Sequence, residues 1–296
     1  MSSVINTNVM SLQVQNALSM NSQSMQTAMQ RLSTGLRINS AKDDAAGLAI
    51  TDRMTTQING SNVAARNAQD GMSMAQTAEG AMGALTSTLQ RMRDLAVQSA
   101  NATNSTSDRQ NLQTEFGQLQ SELSRIVSNT QFNGKNILAG GLSGSANARF
   151  QIGANTSAGN QIAFSINNMA TNSAGKGGIS GVLAGANLSG SAFGISIGSG
   201  ATFTKIMTAM SKIDTAINAI DTSRAKLGAI QNRFQVTIDN LNTFITNQSS
   251  SRSAILDTNF AQETSALSKA QILQQAGNAM LTQANQAPQA VLSLLR

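Results

Sequence analysis

The chain has 296 residues, 40% of them hydrophobic and only 11% charged, with a net charge of +6; it can bury a core, yet carries under half of the usual ~25% charge. It contains no Cys, His, Trp or Tyr and a single Pro, Pro288, which excludes thiolate nucleophiles, imidazole bases, Cys/His metal sets and disulfides together. Soluble monomers keep charge on their surface to stay apart, so a chain that replaces it with Asn, Gln, Ser and Thr is expected to have neighbours.

The 20 Lys and Arg are scattered and the nine Phe are the sole aromatics. No stacking platform lies beside a basic groove, and no nucleic-acid partner is expected. No run approaches the ~18 apolar residues of a membrane span, so no membrane insertion is expected. The opening MSSVINTNVMSLQVQ lacks the basic and apolar regions of a general secretory signal.

The first charged side chain is Arg31, and Val14, Leu18, Met25, Ala28 and Leu32 step along the opening segment at helical spacing. This predicts an N-terminal arm, residues 1–42, built on an amphipathic helix without charge. RLSTGLRINSAKDDAAGLAI, from Arg31 to Ile50, then writes a break: Gly35 suits a helix C-terminus, and Ser40 with Asp43 reads as a capping box for the next helix. From about Lys42 to Ser99 a long helix is expected, with Met54, Ile58, Ala68, Met72, Ala75, Met82, Leu85, Leu89 and Met92 among its periodic positions. After the loop NATNSTSDR, Leu112, Phe116, Leu119, Leu123 and Ile126 predict a second helix.

Between Gly140 and Gly200 lie 14 of the 24 Gly. Within this region ARFQIGA and NQIAFSI alternate apolar with polar around NTSAG, the pattern of a β-hairpin. Residues 43–169 are therefore expected to form a middle helical bundle with a β-hairpin, and 170–202 a Gly/Ser-rich surface segment. Helix resumes near Thr202. Met210, Ile213, Ile217, Ile220, Leu227, Phe234, Ile238, Leu241 and Ile245 advance by threes, fours and sevens, a spacing that specifies a coiled-coil core; 203–252 is read as the C-terminal helix of the middle bundle. The last segment, 253–296, is a second arm, with 26 uncharged residues between Lys269 and Arg296 and a stripe of Leu273, Ala276, Met280, Ala284, Ala287, Val291 and Leu294. The fold class expected is mainly α: a long helical hairpin or coiled-coil bundle, a small β-hairpin region, and paired N- and C-terminal segments.

An enzyme would have to use Ser with Lys, or paired carboxylates such as Asp43 and Asp44. Those two aspartates read instead as a helix N-terminus in favourable dipole contact. No phosphate loop or nucleophile elbow is present, so neither catalysis nor a cofactor is expected.

RLSTGLRINSAKDDAAGLAI, LQRMRDLAVQSAN from Leu89, TQFNGKNIL from Thr130 and the terminal VLSLLR together resemble bacterial flagellin, over about residues 1–169 and 203–296. The resemblance implies a structural subunit that polymerises into the extracellular flagellar filament for swimming motility. Its paired termini would form an inner tube, its bundle an outer one, and the exposed domain would be nearly absent. A flagellar hook-filament junction protein, which shares the terminal helices, is the alternative. The resemblance further implies export unfolded through the flagellar type III apparatus, with an export chaperone, the filament cap and hook-junction proteins as partners. It carries over a contact for the flagellin-sensing Toll-like receptor onto Arg91, Leu95 and Glu115. Val291, Leu292, Leu294 and Leu295 correspond to an inner-tube packing segment also bound by cytosolic flagellin sensors.

Overall fold

The computed structural model describes residues 7–139, 148–166, 169 and 196–293. Five helices dominate: α1 (Val9–Thr34), α2 (Ala45–Ser99), α3 (Thr106–Asn129), α4 (Phe203–Leu256) and α5 (Phe260–Ser293). Among the described residues, two small antiparallel hairpins lie between α3 and α4, one of β1 (Gln131–Phe132) with β2 (Lys135–Asn136), the other of β3 (Ala148–Gln151) with β4 (Gln161–Phe164). The chain is mainly α, as its periodicity predicts. It forms two compact units, one of the residues up to Ile58 together with those from Thr246, the other Asn59–Ile245. Helices α2 and α4 contribute to both.

Local chemistry places the ends of these helices. Gly35 closes α1 in the left-handed conformation, φ 73°, with its N–H on the Arg31 carbonyl, a backbone state that costs Gly nothing. The expected capping box at Ser40 and Asp43 is a turn instead. The Asp43 carboxylate accepts the Asn39 and Ser40 N–H groups and the Ser40 hydroxyl, while Asp44 caps α2 by accepting the Gly47 N–H at 2.8 Å. Those backbone N–H bonds, from Asn39 first and then Ser40, hold Asp43 below the usual carboxylate range. The reciprocal box opens α3, where Ser105 and Asp108 exchange side-chain and backbone bonds.

In the unit Asn59–Ile245, α2 supplies Met82, Leu85, Leu89, Met92 and Leu95 to the core, α3 supplies Phe116, Leu123 and Val127, and α4 supplies Ile206, Ile213, Ile220, Leu227 and Phe234. Polar ties fix how these helices meet. Arg93 on α2 donates to Asp214 on α4 at 2.6 Å, and Gln231 on α4 donates to Glu79 on α2 at 2.8 Å.

The β3/β4 hairpin, registered with Ala148 opposite Phe164 and Gln151 opposite Gln161, sits on α2 where Gly60 leaves room for it, and Gly71 leaves room for Phe234 of α4. A Cβ on Gly60 would stand 2.7 Å from the Ala154 Cβ, and one on Gly71 would stand 2.6 Å from the Phe234 ring. Phe150 of β3 meets that same ring edge-on at 5.7 Å, and Asn67 of α2 donates to the Gln151 carbonyl at 3.0 Å. The smaller hairpin turns on Asn133 and Gly134, both at positive φ, the pair a tight two-residue turn demands.

The chain after the Gly-rich stretch is recaptured by side chains. The Gln113 carboxamide accepts the Ile197 and Gly198 N–H groups at 2.7 and 3.0 Å, and the Ser99 hydroxyl donates to the Ile197 carbonyl. Most of the segment expected over 170–202 lies outside the described residues.

Candidate assembly and recognition surfaces

Helices α1 and α5 pair along their length through narrow faces. On α1 the facing residues include Ser11, Val14, Leu18, Asn21, Met25 and Ala28; on α5 they include Leu267, Ala270, Gln274, Gly277, Leu281 and Ala284. Both faces repeat by threes and fours. Leu18 packs onto Gly277, where a Cβ would lie 3.0 Å from the leucine side chain. Asn21 donates to the Ala270 carbonyl at 2.7 Å and Asn8 to the Ala284 carbonyl at 2.8 Å. These small residues let an amide side chain reach the helix backbone. The one ion pair of this face among the described residues joins Arg31 to Glu263 at 3.6 Å.

The C-terminal stripe expected from sequence is a different face. Leu273 and Met280 are 49% and 56% exposed, and neighbouring Ile272 is 65% exposed; of that stripe, Ala284 is buried in the pair. Apolar periodicity marks the more apolar face of α5, whereas the partner helix covers the face with smaller side chains, because small residues permit close helix approach. An exposed apolar flank therefore remains on α5. On α1, Val9, Leu12 and Met20 are likewise exposed. Val291 and Leu292 fall in the last helical turns of α5; their side chains, together with Leu294 and Leu295, lie outside what the structure describes.

On α4 the proposed core residues divide. Ile213, Ile220, Leu227 and Phe234 are buried, while Met210, Ile217 and Ile238 are half-buried against the same core. Leu241 and Ile245 are half-buried. Alternate layers are filled by Ala209, Ala216 and Ser223, the first two one position before the expected Met210 and Ile217. Sequence reasoning missed these three because it ranked positions by apolar size.

Arg91 and Glu115 come together across α2 and α3. The Arg91 Nε and Nη2 both donate to Glu115 Oε1, at 2.9 and 2.7 Å, and both residues are exposed. Leu95 differs from its expected role as a contact residue. It is 1% exposed and lies in the core, because its place on α2 faces inward one turn after Met92. Among the described residues no group of carboxylates could hold a metal ion, and no helix is long and apolar enough to cross a membrane.

The paired ends and intervening bundle coincide with known sequence families. The family description "bacterial flagellin N-terminal helical region" matches residues 5–142, and "bacterial flagellin C-terminal helical region" matches 210–295. Flagellin D of Vibrio anguillarum is 39% identical over 377 aligned residues, covering 98% of this chain and 99% of that relative. The chain belongs to the bacterial flagellin family. Flagellin A of the same organism is 38% identical over 384 residues, covering 100% of both chains. Since those alignments are longer than the 296 residues of this chain, it is a short flagellin that lacks internal residues its relatives carry. The crystal structure of Bacillus cereus flagellin is similar over 60% of this chain and 88% of that one, at 27% identity and a TM-score of 0.44.

As a flagellin, the chain is a structural subunit of the extracellular flagellar filament, and not an enzyme. The filament role, in place of the hook-junction alternative, rests on both family matches and on full-length relatives that carry the name flagellin. Self-assembly accounts for the scarcity of charge. Asn and Gln can exchange hydrogen bonds between copies without the desolvation that buried ions require.

Proposed function

We propose that this flagellin polymerises by burying the exposed flank of α5, centred on Ile272, Leu273 and Met280, against neighbouring copies. The supporting observation is an apolar flank left open on a helix pair that carries almost no charge. Residues 1–42 and 253–296 then form the inner layer, 43–169 and 203–252 the layer around it, and 170–202 the outward segment. The contact joins different patches on successive subunits, so it need not close into a ring and can extend as a helix. Val291, Leu292, Leu294 and Leu295 continue the inner layer, and serve as the segment met by cytosolic flagellin sensors. Export unfolded through the flagellar type III apparatus, with a chaperone, the filament cap and hook-junction proteins as partners, completes the proposal.

Leu273→Asp with Met280→Asp should abolish filaments seen by electron microscopy while leaving the monomer's circular dichroism unchanged. Each parent side chain contributes roughly 1.5–3 kcal/mol on full burial, and each aspartate adds a desolvation cost. Normal filament yield from the double variant would assign the flank to solvent.

A second reading rests on the exposed Arg91 and Glu115. Their pairing presents one neutral, hydrogen-bonding patch fixed in orientation, suited to a host Toll-like receptor, with Leu95 packing behind it. Arg91→Ala with Glu115→Ala is expected to reduce receptor signalling by monomer at least about tenfold, equivalent to ~1.4 kcal/mol of binding. Leu95→Met, which conserves volume, should leave signalling near the parent level. Full signalling by a folded double variant would remove the patch from consideration.

A further inference from the structure

Helix α4 stops at Leu256 and α5 begins at Phe260, yet Asp257, Thr258 and Asn259 include neither Gly nor Pro. Asn259 opens α5, its side-chain oxygen accepting the Ala261 and Gln262 N–H groups. Closing α4 is another matter, since a helix end leaves its last carbonyls without intrahelical donors. The Asp257 N–H reaches the Ser253 carbonyl locally at 2.9 Å, but donors for the Ile255 and Leu256 carbonyls arrive from the opposite end of the sequence. The Arg37 N–H donates to the Leu256 carbonyl at 2.7 Å. Its guanidinium donates through Nε and Nη2 to the Ile255 carbonyl, at 3.1 and 2.7 Å.

The contact is returned: the Thr258 N–H donates to the Gly35 carbonyl at 2.9 Å, with Leu36 and Asp257 opposed in an antiparallel bridge. A cation at this position also complements the negative end of the helix dipole. The two breaks are not equal. That between α1 and α2 has local determinants at both helix ends, Gly35 and Asp44, whereas that between α4 and α5 has a local cap for α5 in Asn259 and a local bond from Asp257 to Ser253 but takes the donors for its last two α4 carbonyls from Arg37.

We infer that Arg37 is a positioning residue that ends α4, so that the two helix breaks form as one joint. Removing its guanidinium strips the Ile255 carbonyl of its donor and leaves the break to the backbone contacts of residues 35–37 and the Asn259 cap. The role goes beyond the flank and the receptor patch, neither of which contains Arg37.

The test uses hydrogen–deuterium exchange in assembled filaments. Isotope-labelled Arg37→Ala chains are co-assembled as a minority with the parent, so that parental copies set the lattice. Exchange in peptides covering 35–39 and 255–260 should rise about tenfold or more, the scale expected for losing bonds to a charged donor. Peptides from the middle of α1 and α5 should keep their parental rates. Arg37→Lys, which retains the charge and one donor arm, should recover part of the protection. If Arg37→Ala chains have the parental monomer spectrum but do not enter filaments, and Arg37→Lys restores entry, the joint is needed for incorporation. Parental exchange rates at the joint would overturn the assignment, as would a rise spread evenly along α1 and α5, or exclusion of both variants alike.

Discussion

Brief trypsin digestion of the monomer is expected to cut after Arg31, Arg37, Lys42 and Lys269 and to leave a resistant fragment from the unit Asn59–Ile245, whereas filaments should protect all four bonds. The reason lies in what the helix pair buries alone. Ordering the 26 residues of α1 and 34 of α5 costs roughly 1–2 kcal/mol of backbone entropy per residue. Against that, the positions reaching full burial in these helices among the described residues are Ser11, Ala28, Ala270 and Ala284, none with a large apolar side chain. Isolated helices are marginal without tertiary packing. Neighbouring copies are expected to provide it, with the joint at Arg37 forming in the same transition. Gel analysis of monomer and filament samples checks this directly: equal resistance of the four sites in both states would mean that the arms fold unaided.

Ala216→Asp is expected to unfold the unit Asn59–Ile245, while Ile217→Asp leaves it folded but weaker. Ala216 is completely buried, and an unpaired charge there has neither water nor a partner, which costs several kcal/mol out of a typical total of about 5–15. Ile217 is half-buried and its replacement can turn toward solvent, so a loss of about 1–2 kcal/mol is expected from its partial burial. Urea unfolding of the two variants ranks them. The opposite order would place the larger residue in the seam and refute the packing of α4 on α2.

That contrast shows what could be read before folding. Periodicity located every long helix, because steps of three and four leave few alternatives once they persist. The alternation in ARFQIGA and NQIAFSI likewise located the β3/β4 hairpin. Facing direction was less legible. Ala209, Ala216 and Ser223 on α4, and Ala270 and Gly277 on α5, line close approaches between backbones. Their small size, the property that suits them to the contact, gives them little weight in a reading based on hydrophobicity. Ser40 and Asp43 carried a cap pattern that the chain uses as a turn, since Asp44 stands nearer the first free N–H groups of α2. Ser105 and Asp108 held the true box within a segment that reads as polar loop. The Arg37 joint had no local signature, because its donors and acceptors lie at opposite ends of the chain.

The neutral bonding between α1 and α5 sets how the two units respond to their surroundings. Ionic strength between 0.01 M and 1 M shortens the reach of electrostatic forces from about 30 Å to about 3 Å. In the unit Asn59–Ile245, exposed pairs such as Arg91 with Glu115 and Arg125 with Glu122 weaken under such screening. The Asn8 and Asn21 bonds to helix carbonyls have no net charge to screen, and excluded salts strengthen apolar packing instead. Added salt therefore loosens the exposed ion pairs of that unit, whereas in the terminal helix pair it can screen only the Arg31–Glu263 contact and tightens the apolar packing around the neutral bonds.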